Sequence, residues 1–190
     1  MSGNSANIHI GHALISMSEQ GETAVPADWS TLTDVGYIDP EVGGVFKPSQ
    51  EIKATNVARF QGPIKATKLR GDATIEFAML ESDIGNIAWA LGGAAADIVD
   101  DAENDEKTFK GPRASGPVQE FNLMVTQAQN AGTLNNYIRI PRAYISQQPE
   151  ILVKEDGERV LKLTIGTLVV EDSGDWQGFG YEIVEEYEGV

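Results

Sequence analysis

Hydrophobic and polar residues alternate with a period of two along much of the chain, and this pattern predicts half-buried β-strands. Four stretches show the alternation: residues 72–80, 119–127, 160–170 and 176–187. The apolar residues that share one face are, in chain order, Ala73, Ile75, Phe77 and Met79; Phe121, Leu123 and Val125; Leu161, Leu163, Ile165 and Val169; Phe179, Tyr181, Ile183 and Tyr187.

Residues 137–145 also look extended, but Pro141 cannot donate a hydrogen bond to a neighbouring strand. This strand is therefore expected to lie at a sheet edge or to carry a bulge. Asp156-Gly157, between two strand-like runs, predicts a tight hairpin turn. Residues 171–178 predict a slightly longer connection of the same kind.

One segment is typical of a helix, "ESDIGNIAWALGG" at 81–93, with the helix itself at about 82–91. Ser82 is the expected N-cap, Asp83 suits the first turn, and Gly92-Gly93 ends the helix. A helix this short must be held by packing on a sheet. The residues expected to form that apolar stripe are Ile84, Ile87, Ala88 and Leu91.

Many strands with one docked helix indicate a mainly β fold, in which two packed β-sheets form a sandwich or barrel-like domain with a flanking helix. Two long stretches fit neither period. One is a long polar loop predicted at about 41–62, and the other covers 94–118. Connections of this length are usually functional or mobile.

Charge is distributed unevenly along the chain, whose net charge is −15. Between Phe46 and Arg70 there are six basic residues and one acid, whereas residues 171–190 hold seven acids and 97–106 hold six, with no base in either stretch. Complementary patches on identical copies favour head-to-tail contacts, which close into rings or continue as filaments. The monomeric alternative is that these patches neutralise each other within one molecule.

Candidate chemistry is sparse. There is no cysteine, and the common nucleophile, nucleotide-binding and metalloprotease motifs are missing, so we expect neither an enzyme nor a bound cofactor. His9 and His12 are three positions apart, an odd spacing that points their rings to opposite faces of a strand. The acidic run 97–107 lacks the glycine and the final glutamate of a calcium loop. We therefore expect no metal site.

The order of these segments resembles that of the major tail tube proteins of long-tailed (siphophage-like) bacteriophages. A strand-rich start is followed by "ADWSTLTDVGYIDPEVGGV" at 27–45 and by a long polar loop. A strand then runs directly into "LESDIGNIAWALGG" at 80–93, which is the most specific piece of the resemblance. The chain closes with strands in "LKLTIGTLVVEDSGDWQGFGYEIVEE" at 161–186.

The resemblance implies one tail-tube-type domain over residues 1–190, with flexible N-terminal and C-terminal arms. Six subunits would form a ring, and stacked rings would form a tube in the virion tail, assembled in the host cytoplasm. The implied partners are other copies of the chain, a tape-measure protein, a tail terminator and distal tail or baseplate proteins. DNA would pass through an acidic lumen without specific binding, and no membrane is involved.

Carried onto this sequence, the resemblance places the long loop between early strands against an adjacent ring. The residues expected in that inter-ring contact are Phe46, Lys47, Lys53, Arg59 and Phe60. The acids expected to face the lumen are Asp72, Glu76, Glu120, Glu182 and Glu186. A negative lumen would repel the DNA backbone.

Two other hypotheses remain open. The same fold serves as the inner tube of a contractile tail, a bacteriocin or a secretion apparatus. A hypothesis of another class is a monomeric β-sandwich that binds a sugar or a protein, which would require a patch of exposed aromatic residues. Trp29, Trp89 and Trp176 are scattered along the sequence, which weighs against that patch.

Overall fold

The structure, a computed structural model, describes residues 8–10, 13–19, 21–56, 63–80, 83–93, 97–111, 118–128, 135–155, 158–171 and 174–186, with the backbone alone at 8–10, 50–56 and 63–71. Within these ranges the elements are β1 (Ile8–Ile10), β2 (Leu14–Met17), β3 (Thr33–Tyr37), β4 (Gly44–Asn56), β5 (Pro63–Met79), α1 (Ile84–Ala90), β6 (Ile98–Asp101), β7 (Glu106–Phe109), β8 (Glu120–Ala128), β9 (Asn135–Ile145), β10 (Glu150–Val153), β11 (Arg159–Thr167) and β12 (Glu182–Glu185). Short 3-10 turns occur at Trp29–Thr31 and Gly174–Trp176.

The predicted mainly β fold with two sheets and a single α-helix is confirmed over the described residues. The larger sheet has ten strands, and its main path runs β1-β4-β5-β11-β9-β8-β2-β3, with β10 on β11 and β12 on β9. The smaller sheet pairs β6 with β7. None of the helices in the described part of the chain is long and apolar enough to span a membrane.

The larger sheet closes on itself and forms a barrel. Ile38, which follows β3, forms a bridge to Met79 at the end of β5. The amide of Asp39 donates to the carbonyl of Ala78 at 2.8 Å, and the amide of Leu80 donates to the carbonyl of Tyr37 at 3.1 Å. The ring therefore contains six strands in the order β5-β11-β9-β8-β2-β3 and returns to β5. Of the two architectures predicted, the hydrogen bonding matches the barrel.

Alternation along the ring strands fills the barrel with one apolar core, as the sequence pattern predicts. The predicted faces of 72–80 and 119–127 are buried throughout, and so are Leu161, Leu163 and Ile165 of β11. Ile15, Ile38 and Ile140 join them from elsewhere in the ring, with no exposed surface. The core thus collects at least one buried side chain from every strand of the ring except β3, whose Val35 packs partly buried against it.

The buried apolar faces predicted for residues 160–170 and 176–187 are wrong in part. Val169 lies beyond the end of β11 and is exposed, as are Phe179 and Ile183. The reason is that β11 and β12 do not pair with each other: both pair with β9, one after the other along the same edge. Val170 and Phe179 close the connection between them by a backbone hydrogen bond of 3.0 Å. Tyr187 lies outside the described residues.

The two predicted hairpin connections have different outcomes. The strands on either side of the first, β10 and β11, pair antiparallel from Glu150↔Lys162 to Val153↔Arg159, as a hairpin requires. The turn residues themselves, Asp156-Gly157, lie outside the described part of the chain. The second connection, at 171–178, leads from β11 to β12 without forming a hairpin, because these strands occupy successive parts of one edge of β9.

Pro141 sits at a bulge, as one of its two predicted alternatives requires. Phe121 faces Ala143 and Leu123 faces Ile140, so two residues of β9 oppose Asn122 alone. The side-chain amide of Asn122 donates to the carbonyl of Pro141 at 2.6 Å. On its other edge β9 pairs with β11 at 143–145 and with β12 at 136–139, which leaves Pro141 in the gap.

The helix begins and packs differently in detail from the prediction. Asp83 is the N-cap, accepting a hydrogen bond from the amide of Asn86 at 2.7 Å, whereas the predicted cap Ser82 lies outside the described residues. Ala88 is buried as expected, together with Ala90, while Ile84, Ile87 and Leu91 stay partly exposed. Trp89 supplies the main contact, packing edge-on against Phe121 with ring centres 4.6 Å apart.

The long polar loop predicted at about 41–62 is wrong for most of its length. Residues 44–56 form β4, which pairs antiparallel with β5 from Gly44↔Phe77 to Asn56↔Pro63. The strand predicted at 72–80 correspondingly begins at Pro63. Part of the other irregular stretch, 94–118, forms the β6–β7 hairpin, which packs near α1. A β-carbon added to Gly93 would lie 2.5 Å from the Phe109 ring, so a side chain there would force that ring to move.

An ion pair between a buried carboxylate and a partly exposed lysine fixes the turn that joins the barrel closure to β4. Asp39 has no exposed surface, and the ammonium of Lys154 lies 2.8 Å from its Oδ2. Burial alone would raise the pKa of Asp39, but hydrogen bonds from Lys154 and from the backbone amides of Glu41 and Val42 outweigh it and hold the pKa below its usual value. The charged form of Asp39 is therefore the one that this turn binds.

Replacing the cation of this pair should destabilise the fold, because a buried carboxylate would lose its charged partner. We expect Lys154→Met to lower the Tm by about 5–10 °C, measured by differential scanning calorimetry at neutral pH. The matched control is Lys162→Met, which removes an exposed pair with Glu150 at 3.4 Å and should change the Tm by less than about 2 °C. Equal shifts in the two variants would contradict the role assigned to Asp39.

Candidate assembly surfaces

The β4–β5 hairpin extends well beyond the strands that support it. β1 pairs with β4 only as far as Phe46, and β11 pairs with β5 only from Thr74 onward. Nine register pairs, from Pro48↔Ala73 to Asn56↔Pro63, have no further strand beside them in the described part of the chain. At about 3.3 Å per residue these paired positions, in 48–56 and 63–73, extend for about 30 Å. We call residues 48–73 the arm.

The arm also differs in charge from the rest of the molecule. It contains five basic residues and two acids, for a net charge of +3. Because the whole chain carries −15, the residues outside the arm carry a net charge of −18. The amide of Ala73 donates to the hydroxyl of Thr167 at 2.9 Å, and over the described positions no further strand pairs with the outer edges of the arm. Free edges are the usual sites at which a sheet accepts another strand.

A second free edge is apolar. In the described residues β10 pairs with β11 alone, and all four of its residues are exposed. Three of them are consecutive large hydrophobic residues, Ile151, Leu152 and Val153. Because side chains alternate along a strand, β10 presents apolar groups to water on both faces. Exposed apolar edge strands pair readily with other chains.

A third free edge lies at one end of the barrel, along β12. In the described part of the chain β12 pairs only with β9, matching Ile183 with Ile138 and Glu185 with Asn136. Next to it is a groove of about 210 Å³, lined by Val125, Gln127, Asn136, Tyr137, Ile138, Ile183 and Glu185. All seven residues belong to β8, β9 or β12, and among them Ile183 and Glu185 of β12 are exposed.

The predicted inter-ring residues have different surroundings from those expected. Phe46 has no exposed surface and packs edge-on against Tyr181 with ring centres 5.0 Å apart, so its expected role as a surface anchor is wrong. Lys47 lies 2.6 Å from Glu76, so a predicted contact cation and a predicted lumen acid pair with each other. The backbone of Lys53 lies in β4, whereas Arg59 and Phe60 are outside the described residues.

The other acids predicted to face a lumen are also engaged within the molecule. Glu120 binds Arg142 through two hydrogen bonds of 2.7 and 3.0 Å, and these bonds raise the pKa of Arg142 above its ordinary value. Glu182 lies 3.3 Å from Arg139. Glu186 accepts from the hydroxyl of Tyr137 at 2.8 Å, and Asp72 is half-buried. These acids stabilise local pairings before any role in a channel is considered.

These pairs bear on the monomeric alternative, in which charges are neutralised internally. Every pair just described joins neighbouring strands, Lys47 to Glu76 and Arg142 to Glu120 among them, rather than the basic stretch to either acidic stretch. The acidic run 97–106 lies in the exposed β6–β7 hairpin, with Lys107 3.9 Å from Asp100. In the described residues, no cluster of three or more acids or histidines is arranged to hold a metal ion.

Two of the three tryptophans that are scattered in sequence come together in space. The rings of Trp29 and Trp176 are 5.8 Å apart, and the guanidinium of Arg139 lies 5.8 Å from the Trp29 ring. Trp29 is buried, so this cluster acts as packing between the 3-10 turns and β9 rather than as an open aromatic patch. A sugar-binding module would expose such rings.

Sequence reasoning missed the apolar edge of β10. The run of three hydrophobic residues at 151–153 was visible in the sequence, but its period does not separate a buried strand from an exposed one. The groove beside β12 was also missed, because Val125 and Ile183 are brought together only by the pairing of both strands with β9. Such a site depends on register, which the sequence pattern does not specify.

No protein-family model matches the chain, and no curated protein matches its sequence.

Phe46→Ala distinguishes a core role from a contact role. A truncated core aromatic loses its buried surface and leaves a cavity, so we expect the free energy of unfolding to fall by about 3–5 kcal/mol in urea denaturation of the monomer. The control is Phe179→Ala, which removes an exposed ring and should cost less than about 1 kcal/mol. Unchanged stability in Phe46→Ala would restore its assignment to a surface.

Proposed function

We propose that this chain is a structural subunit that assembles with copies of itself into stacked rings, forming a tail tube of the kind found in long-tailed bacteriophages. The tube would enclose a tape-measure protein and later conduct DNA, with no covalent chemistry of its own. Hexameric rings, a terminator and distal tail proteins are further expectations that rest on the resemblance of segment order.

The arm is the single observation that carries this proposal. Over the described residues, no third strand pairs with this two-stranded hairpin, about 30 Å long, beyond Phe46 on β4 and Thr74 on β5. Isolated two-stranded hairpins are marginally stable in water. An arm of this kind gains stability by packing on another molecule, and copies of the same chain are the partners that a self-assembling subunit always has.

Electrostatics support contact between copies through the arm. Outside the arm the molecule carries a net charge of −18, so neighbouring copies repel one another unless a positive element lies between them. The arm, with a net charge of +3, supplies that element. The same negative body would keep a DNA strand from adhering to the inside of a tube.

The exposed edges support lateral contacts within a ring. Because β10 is apolar on both faces and has a free outer edge, a strand from a neighbouring copy would satisfy its backbone groups and cover its side chains. In a ring, each subunit uses two different surfaces for its two neighbours. The molecule offers such a pair of surfaces in β10 and in the arm or β12.

Electron microscopy of the purified protein, over a range of salt and protein concentrations, tests the proposal. We expect rings or tubes of constant diameter for the unaltered chain. Lys53→Glu combined with Arg59→Glu should abolish stacking while leaving the monomer folded by circular dichroism, because the reversal makes the arm acidic.

The matched control is Lys107→Glu with Lys110→Glu, which makes the same charge change on the exposed β6–β7 hairpin and the residue after it. This control should still form tubes. Normal tubes from the arm variant would remove the arm from the stacking contact, and dispersed monomers of the unaltered chain under all conditions would contradict the proposed function.

A further inference from the structure

The edge strand β12 continues the apolar core of the barrel out to the molecular surface. Val125, Ile138 and Ile183 form one cross-strand row on β8, β9 and β12. Their exposed fractions are 1%, 8% and 50%, so burial decreases steadily toward the edge. Over the described residues no strand lies beyond β12, so the row that begins in the core ends at a half-exposed Ile183 that one more strand would cover.

The next row along the same face is polar. It consists of Gln127, Asn136 and Glu185, which together with the first row and Tyr137 line the groove of about 210 Å³. This composition, apolar at the base with polar groups at the rim, is typical of sites that accept a side chain from a partner. The groove therefore fits an apolar residue carried on an added strand.

The charge around β12 selects a basic partner. Residues 171–190, which include β12, hold seven acids and no base. Glu182 is already paired with Arg139, while Glu185 is exposed at the rim of the groove. A strand that approaches this edge would thus meet the exposed carboxylate of Glu185, and a positively charged strand would be attracted to it.

We propose that the free edge of β12, with its groove, is the docking site for the arm of a second copy of this chain. This inference rests on the proposed function and identifies the partner surface of the arm. One strand of the incoming arm hydrogen-bonds to β12, an apolar arm residue enters the groove beside Ile183, and the basic arm residues lie near Glu185.

The arm fits this site in backbone chemistry, charge and composition. It has free strand edges, a net charge of +3, and apolar residues such as Ile52 and Leu69 interspersed with lysines. In the described part of the molecule β12 does not pair with the arm of its own chain. Docking from another copy therefore adds a pairing instead of replacing one.

Crosslinking tests this inference directly because the chain contains no cysteine. Two single-cysteine variants, Glu185→Cys and Lys53→Cys, carry different affinity tags, are mixed under assembly conditions and are treated with a short bismaleimide. Docking holds the two thiols at an effective concentration in the millimolar range. The yield of crosslinked mixed dimer should therefore exceed the yield from the control pair by about tenfold. The control pairs Lys110→Cys with Lys53→Cys.

A second pair of variants tests the groove. Ile183→Asp, added to the Glu185→Cys chain, introduces a charge at the end of the apolar row and should reduce the crosslink between positions 185 and 53 to the level of the control. Val99→Asp, added to the same chain, makes the same change at an exposed apolar residue of β6 and should leave the crosslink unchanged. Equal effects of the two variants would overturn the role of the groove.

The outcomes separate this inference from the proposed function. Tubes that form without a crosslink between positions 53 and 185 overturn the docking site while the tube subunit stands. A crosslink found only within one chain, in the double variant Lys53→Cys/Glu185→Cys, also overturns it, because the arm would then fold onto its own β12. If the protein forms no assemblies and gives no mixed crosslinks under any condition, both proposals are contradicted.

Discussion

The structure depends on the hydrogen bonds by which residues 37–39 close the barrel. On one side Ile38 donates to the carbonyl of Ala13 at 2.9 Å, and on the other Asp39 donates to Ala78 at 2.8 Å. These bonds occupy the end of one edge of β5. When the chain reverses at Asp39, β4 can pair only with the remainder of that edge. The closure thus directs β4 and β5 outward together and produces the arm.

A closed ring with added strands explains why the molecule has both a complete core and free edges. The six ring strands seal the interior, which contains Phe77, Phe121 and Leu163 with almost no exposed surface. β1, β4, β10 and β12 are attached outside this ring. Of these added strands, β4 contributes Phe46 to the core, while the outer edges of β10 and β12 remain available to other molecules in the described part of the chain. Stability and assembly therefore rest largely on different parts of the sheet.

The sequence predicted those parts of the fold in which one face of a strand is buried. Residues 72–80 and 119–127 alternate because their inner faces fill the barrel, and Pro141 indicated its bulge because proline lacks a donor. The β4 strand of the arm was predicted as part of a loop because its residues show no period-two alternation. The pairing of Lys47 with Glu76 and the burial of Phe46 depend on the register with β5, which local patterns do not contain. For the same reason the groove beside Ile183 emerged only from the folded chain.

The division of one edge of β9 between two strands has a consequence for the dynamics of the molecule. β12 holds β9 by only four residue pairs, and it is not a member of the closed ring. It can therefore detach as an independent unit while the barrel stays intact, a local opening that costs much less than global unfolding. Amide protons of Ile183 and Val184 would then exchange with solvent sooner than those of β11, and any molecule that adds to this strand would slow their exchange.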